Sequence, residues 1–216
     1  MIRNLLALIG VIALVGIVLL YPKLQPLHKF YHSLDDGSKQ FLGQQFKNIQ
    51  GMDEAKINEI ISGAKQLDPK AWDTYIGMAD DLFKTGNSAE ATVWKVPVAE
   101  DISADEVEET MKTVANELNF SNVGELPLSK DIEAKTGKAH RFIKLFLFCD
   151  SLIAAEMLNY SGAFSAYLPC RIALIEDEQG KLWLYTLNMD MMIFGGKTLP
   201  PELYAKAEKV KKTILE

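Results

Sequence analysis

Two stretches decide the fold: residues 142–148, FIKLFLF, and residues 166–187, AYLPCRIALIEDEQGKLWLYTL. Both are rich in the aromatic and β-branched residues that favour a pleated, half-buried surface. In the second, Asp177-Glu178-Gln179-Gly180 is a turn signal, so Ala166–Glu176 and Leu182–Leu187 are expected to pair as a hairpin. Between the two stretches, Ser151 to Tyr160 reads as a helix.

Working outward, Ala91 to Val98 (ATVWKVPV) alternates like a strand, and Pro97 places it at a sheet edge or at its own end. Ser103 and Glu106 form a capping box, with Ile102 and Val107 as the hydrophobic staple. The helix they start presents Val107, Met111, Val114, Ala115 and Leu118 on its apolar face. A short strand over Asn122 to Leu128 and a short polar helix over Asp131 to Thr136 follow. Pro200 to Leu215 forms a last amphipathic helix with Leu203, Ala207, Val210 and Ile214 on one side. This order predicts an α+β domain over residues 89–216, a mostly antiparallel sheet with helices packed on one face.

Residues 22–88 read as a helical spacer. Ser38 is expected to cap a helix with Leu42, Phe46 and Ile49 inward, and Ile57, Ile60, Ile61 and Ala64 repeat at helical spacing. Asp68 as N-cap and Pro69 at the first helical position announce a third helix, which Gly86-Asn87 ends. Its stripe of Trp72, Tyr75, Ile76, Ala79, Leu82 and Phe83 is expected to be core, packed on the domain that follows.

Residues 1–21 read as a transmembrane helix, because Leu5 to Leu20 (LLALIGVIALVGIVLL) carries no charged or strongly polar side chain. No small-x-small cleavage pattern follows, so an uncleaved signal anchor is expected, contacting the membrane through residues 5–21. Arg3 on one side and Lys23 and Lys29 on the other leave orientation finely balanced. The basic start favours a single pass through a bacterial inner membrane with the soluble domain in the periplasm. His28 and His32 share a helical face, but HKFYH beside a membrane suits headgroups better than a metal.

Composition narrows the function classes. The 216 residues have mean hydropathy +0.01 and a net charge of -6, from 23 Lys plus Arg and 29 Asp plus Glu. That acidic balance gives no electrostatic footprint for nucleic acid. Two cysteines are too few for a disulfide scaffold or a four-thiolate zinc site. There is no GxGxxG, P-loop or HExxH, so no cofactor is expected.

RFIKLFLFCDSLIAAEML, AYLPCRIALIEDEQGKLWL and LNMDMM together resemble the bacterial family called domain of unknown function 302. The matching positions are Cys149, then Leu168-Pro169-Cys170-Arg171, then Glu176-Asp177, then Asp190 with Met191 and Met192. The resemblance covers about residues 91–196 and implies a compact, dimeric α+β domain with these cysteine placements, and no established reaction. The chain departs from the family pattern in having Asp150-Ser151 where Asn-Pro is usual, and Asp190-Met191 in place of Asp-Pro.

The candidate site gathers around the cysteines. Cys149 lies where a strand gives way to a helix, and N–H groups at a helix start favour a thiolate, while Asp150 opposes it. Cys170 follows Pro169, and neighbouring strands would bring the two sulfurs together as a redox dithiol or a disulfide; both as small core residues is the competing reading. Arg171, with Asp150 and Tyr167, is the candidate ligand-binding set, and Met189, Met191 and Met192 raise soft-metal binding. The leading expectation is an accessory binding protein, for a partner or small ligand. Thiol redox or sulfur transfer through Cys149 and Cys170, and copper binding, are the alternatives. A homodimer formed through a sheet edge and a membrane-protein partner are the expected associations.

Overall fold

The computed structural model describes Lys29, His32, Ser33 and residues 35–216. The apolar run at Leu5–Leu20, His28 and the aromatic flank at Tyr21, Phe30 and Tyr31 lie outside the described residues. Among the described residues no helix is long and apolar enough to cross a membrane. The chain divides into two compact units, Met1–Ser62 and Gly63–Glu216.

The first unit contains α1 (Asp36–Gln50) and most of α2 (Glu54–Ala64). The sequence places Ser38 at the start of this helix; α1 begins two residues earlier, at Asp36, with Ser38 inside it. Ile57, Ile60 and Ile61 of α2, which repeat at the expected helical spacing, are exposed.

The second unit carries a five-stranded sheet in the order β1-β5-β4-β3-β2, every neighbouring pair antiparallel. The strands are β1 (Val93–Pro97), β2 (Ser121–Leu126), β3 (Ile143–Cys149), β4 (Cys170–Glu176) and β5 (Leu182–Leu187). The expected hairpin joins β4 to β5, with Gly180 at φ 81° supplying the left-handed turn residue. The strand expected from Ala166 starts only at Cys170, because Pro169 has no N–H for the ladder and a 3-10 turn occupies Gly162–Ala166. β1 is an edge strand, as Pro97 suggested. On the other edge, β2 has a bulge between Asn122 and Gly124, and Lys95, Pro97 and this bulge discourage strand addition at either edge.

Strand register sorts the sheet into two faces. Phe148 pairs with Cys170, Phe146 with Ile172, and Thr186 with both Ile172 and Trp94, so these even-numbered residues share a face. The continuous core draws its sheet residues from that face alone, with Phe146 and Leu174 fully buried. Four helices cover it: α4 (Ala104–Glu117), α6 (Ser151–Tyr160), α7 (Asp190–Phe194) and α8 (Pro201–Leu215), through Val107, Met157, Ile193 and Leu203 among others. A short α5 (Leu128–Thr136) links β2 to β3. Among the described residues, the helices of this core pack on one face of the antiparallel sheet.

The starts of these helices follow local chemistry. Ser103 and Glu106 make the full reciprocal capping box on α4. Asp150 caps α6, its carboxylate accepting from the Leu152 and Ile153 N–H groups. α3 (Ala71–Thr85) departs most from expectation. Asp68 does not cap it. Asp68 is buried, accepts from the Lys70 N–H and donates its own N–H to the Gly196 carbonyl, so the Asp68-Pro69-Lys70 segment is tied to the loop after α7. Nor is its stripe core: Trp72 is 57% and Ile76 64% exposed, and Tyr75, Leu82 and Phe83 are also open. α3 meets the sheet-bearing layer through a narrow contact, buried Ala71 and the Tyr75 hydroxyl donating to the Gly195 carbonyl at 2.6 Å. Gly195 allows that approach, since a Cβ there would collide with the Met191 carbonyl and lie 3.1 Å from the Tyr75 hydroxyl.

Candidate functional site

The helix-covered face holds two cavities separated by Phe120, which lines both. The larger is an open cavity of about 470 Å³ between the sheet, α4 and the end of α8. Its floor is Trp94, Phe148, Ile172 and Leu184, one wall is Val107, Met111 and Val114 of α4, and Ile214 and Leu215 close the far side. The polar residues lining it on this face are Thr110, Thr186, Thr213 and Glu216. Volume and lining fall in the range of small-molecule sites. The capping box and staple place this wall: Ile102 and Val107 bracket the start of α4 and both reach the cavity.

The smaller cavity, about 20 Å³, collects the cysteines. Cys149 ends β3, Cys170 begins β4, and Met157 of α6 and Met192 of α7 join them in lining it. Asp150 reaches this cavity, while its carboxylate is engaged at the start of α6. A cleft on the other side of Cys170 is lined by Tyr167, Arg171, Asn188, Met189 and Met192. The predicted set is thus split: Cys149 and Asp150 in one cavity, Tyr167 and Arg171 in the adjoining cleft, with Cys170 touching both. Arg171 is exposed and forms no ion pair with Glu176 or Glu178 among the described residues.

Electrostatics run against thiolate formation. Burial pushes the Cys149 thiol up, and Asp150 adds to the rise. Burial pushes Cys170 up to about 11, with Cys149 contributing. Both thiols are free. The helix start behind Cys149 does not reverse the shift, because Asp150 puts negative charge where the N–H groups would otherwise act. Among the described residues no three His, Cys, Asp or Glu side chains converge as a metal-binding group.

Sequence reasoning missed the apolar cavity, although it named Val107, Met111 and Val114 as a buried face. It also missed Met157, which looked like one more apolar position of α6.

An antiparallel five-stranded sheet with helices packed over a continuous core, and with an apolar cavity and a sulfur-lined one on the core side, defines an α+β domain. Residues 94–216 match the family described as domain of unknown function DUF302, more than half of the chain, and the protein belongs to that family. Among solved structures it is similar to an uncharacterized conserved protein DUF302 from Bacillus stearothermophilus, at 16% identity and a TM-score of 0.47, covering 57% of this chain and 93% of that one. No curated protein matches the chain.

Proposed function

We propose that the protein is an accessory binding protein, tethered to a bacterial inner membrane by residues 5–21 with its α+β domain in the periplasm, and that this domain takes a small, neutral, apolar molecule. The observation that carries the reading is the open cavity of about 470 Å³ between α4, α8 and the sheet. An apolar ligand entering it removes surface from water on both sides, which is the main favourable term in such binding. No basic side chain lines the cavity, and its one carboxylate, Glu216, is paired with Lys212 at 3.4 Å, so the lining itself offers an anionic head group no unpaired counter-charge. Threonine hydroxyls satisfy an alcohol, carbonyl or ether oxygen instead. The apolar run in residues 5–20 supports the tether. Thiol chemistry finds less support, since it needs an accessible thiolate and burial raises both thiols. A homodimer and a membrane-protein partner stay within the same proposal, to be read by crosslinking in detergent.

The test uses the full 216-residue chain in detergent and a neutral alkyl-diazirine alcohol as photoprobe. Labelling mapped by mass spectrometry is expected at Met111, Val114 and Ile214. Excess decanol should suppress it, and excess decanoate should suppress it much less. Filling the cavity with Val114→Trp should abolish labelling there while leaving detergent-driven labelling of residues 1–21 intact. Labelling confined to residues 1–21, or insensitive to Val114→Trp, would overturn the proposal.

A further inference from the structure

We infer that Cys149, Cys170, Met157 and Met192 form a binding site for a single soft monovalent cation, Cu(I) being the biological candidate. Four sulfur-bearing side chains from four different elements, β3, β4, α6 and α7, line one cavity. No local sequence regularity requires that convergence. The cavity's volume of about 20 Å³ suits one bound particle of water size and no organic ligand. Its other walls, including Phe120, Ile153, Leu168 and Val210, are apolar apart from Asp150, whose carboxylate is engaged by the Leu152 and Ile153 N–H groups, so the cavity lacks the set of oxygen ligands a hard, strongly hydrated cation requires. Thiolate and thioether sulfur are the ligands that favour Cu(I) over harder divalent ions. Met189 lines the adjoining cleft together with Cys170 and Met192.

Charge and protons balance without electron transfer. Each cysteine that ligates exchanges its S–H bond for a bond to copper and releases the proton to solvent, and copper stays at +1. Cu(I) with one thiolate is a neutral unit and with both thiolates a monoanion, and the metal in either case offsets thiolate charge that an apolar wall would otherwise meet bare. This site is separate from the apolar cavity, with Phe120 between them, so either can fail alone.

The test loads the full chain in detergent with Cu(I) under anaerobic conditions and challenges it with bathocuproine disulfonate. One Cu(I) per chain should resist a competitor concentration that strips a Cys149→Ser/Cys170→Ser double variant completely and a Met192→Leu variant in large part. X-ray absorption of the loaded native chain should show sulfur neighbours only. Copper stripped equally from native and variant chains, or nitrogen and oxygen neighbours in the spectrum, would overturn the inference. Should the cysteine variant fail to fold, Met192→Leu and the native spectrum decide the matter between them, and Val114→Trp, which leaves the sulfur cavity untouched, should retain its copper.

Discussion

α3 and α4 are nearly the same length, fifteen and fourteen residues, and each advertises an apolar stripe in its sequence, yet one lies open and the other is core. α4 is held on every side. A capping box fixes its start, Val107 and Ala115 are buried, and the Phe120 N–H closes its end by donating to the Ala115 carbonyl at 2.7 Å. Even its polar face is tied down: Lys144 of β3 reaches Glu108 of α4 and Glu125 of β2, and Lys112 bridges the same two carboxylates. α3 has no side-chain cap, buries only Ala71, and spends its Lys84–Asp80 ion pair within its own length. An apolar period shows that a helix has a face to cover, and the covering is decided by what the chain elsewhere places opposite it.

The sharpest way to break this contrast is truncation on each side of it. Phe120→Ala, at the buried exit of α4, is expected to cost about 3–5 kcal/mol, by lost transfer energy and the cavity left behind. Trp72→Ala, on the open face of α3, is expected to fall within about 0.5 kcal/mol of the native chain. Denaturant unfolding of both variants measures the difference. A Trp72→Ala loss as large as that of Phe120→Ala would mean that the stripe is covered in solution, and the two helices would cease to differ. One step smaller, Ser103→Ala should destabilise by about 1 kcal/mol, by orphaning the Glu106 N–H that its hydroxyl now serves.

The same contrast explains which parts of the molecule were legible in advance. The β4–β5 hairpin, the capping box, α6 and the one-sided helix layer rest on neighbours in sequence: Asp177 to Gly180, Ser103 with Glu106, Asp150 with Ile153. Those contacts are local, so residue type and spacing reveal them. Asp68 broke the rule because a distant carbonyl, that of Gly196, claimed its backbone N–H, and the α3 stripe broke it by remaining exposed at Trp72, Tyr75, Ile76, Leu82 and Phe83. The site divides in the same way. Cys149, Cys170 and Met192 were visible as residue types, whereas Met157 and the apolar cavity exist only through the docking of α6 and α8 on the sheet.

The charged lattice around α4 gives the finest test. Hydrogen bonds from Lys112, then Lys144, hold the Glu125 carboxyl down at about 2, and the same lysines hold Glu108 below its ordinary value against the pull of burial. A carboxyl depressed in the folded state stabilises the fold only while it is ionised there. The contribution is therefore complete above the unfolded value near 4.5 and drains away as pH falls towards about 2. Solvent reaches both Lys112 and Glu125, so the effect should be smaller than that of the cap and should shrink further in high salt. Stability measured from pH 5 down to pH 2 should decline for the native chain, and the decline should be shallower in Glu125→Gln, which cannot ionise. An equal slope in the two would mean that the lattice leaves α4 no better fastened than α3, and that the difference between the helices rests on their apolar faces alone.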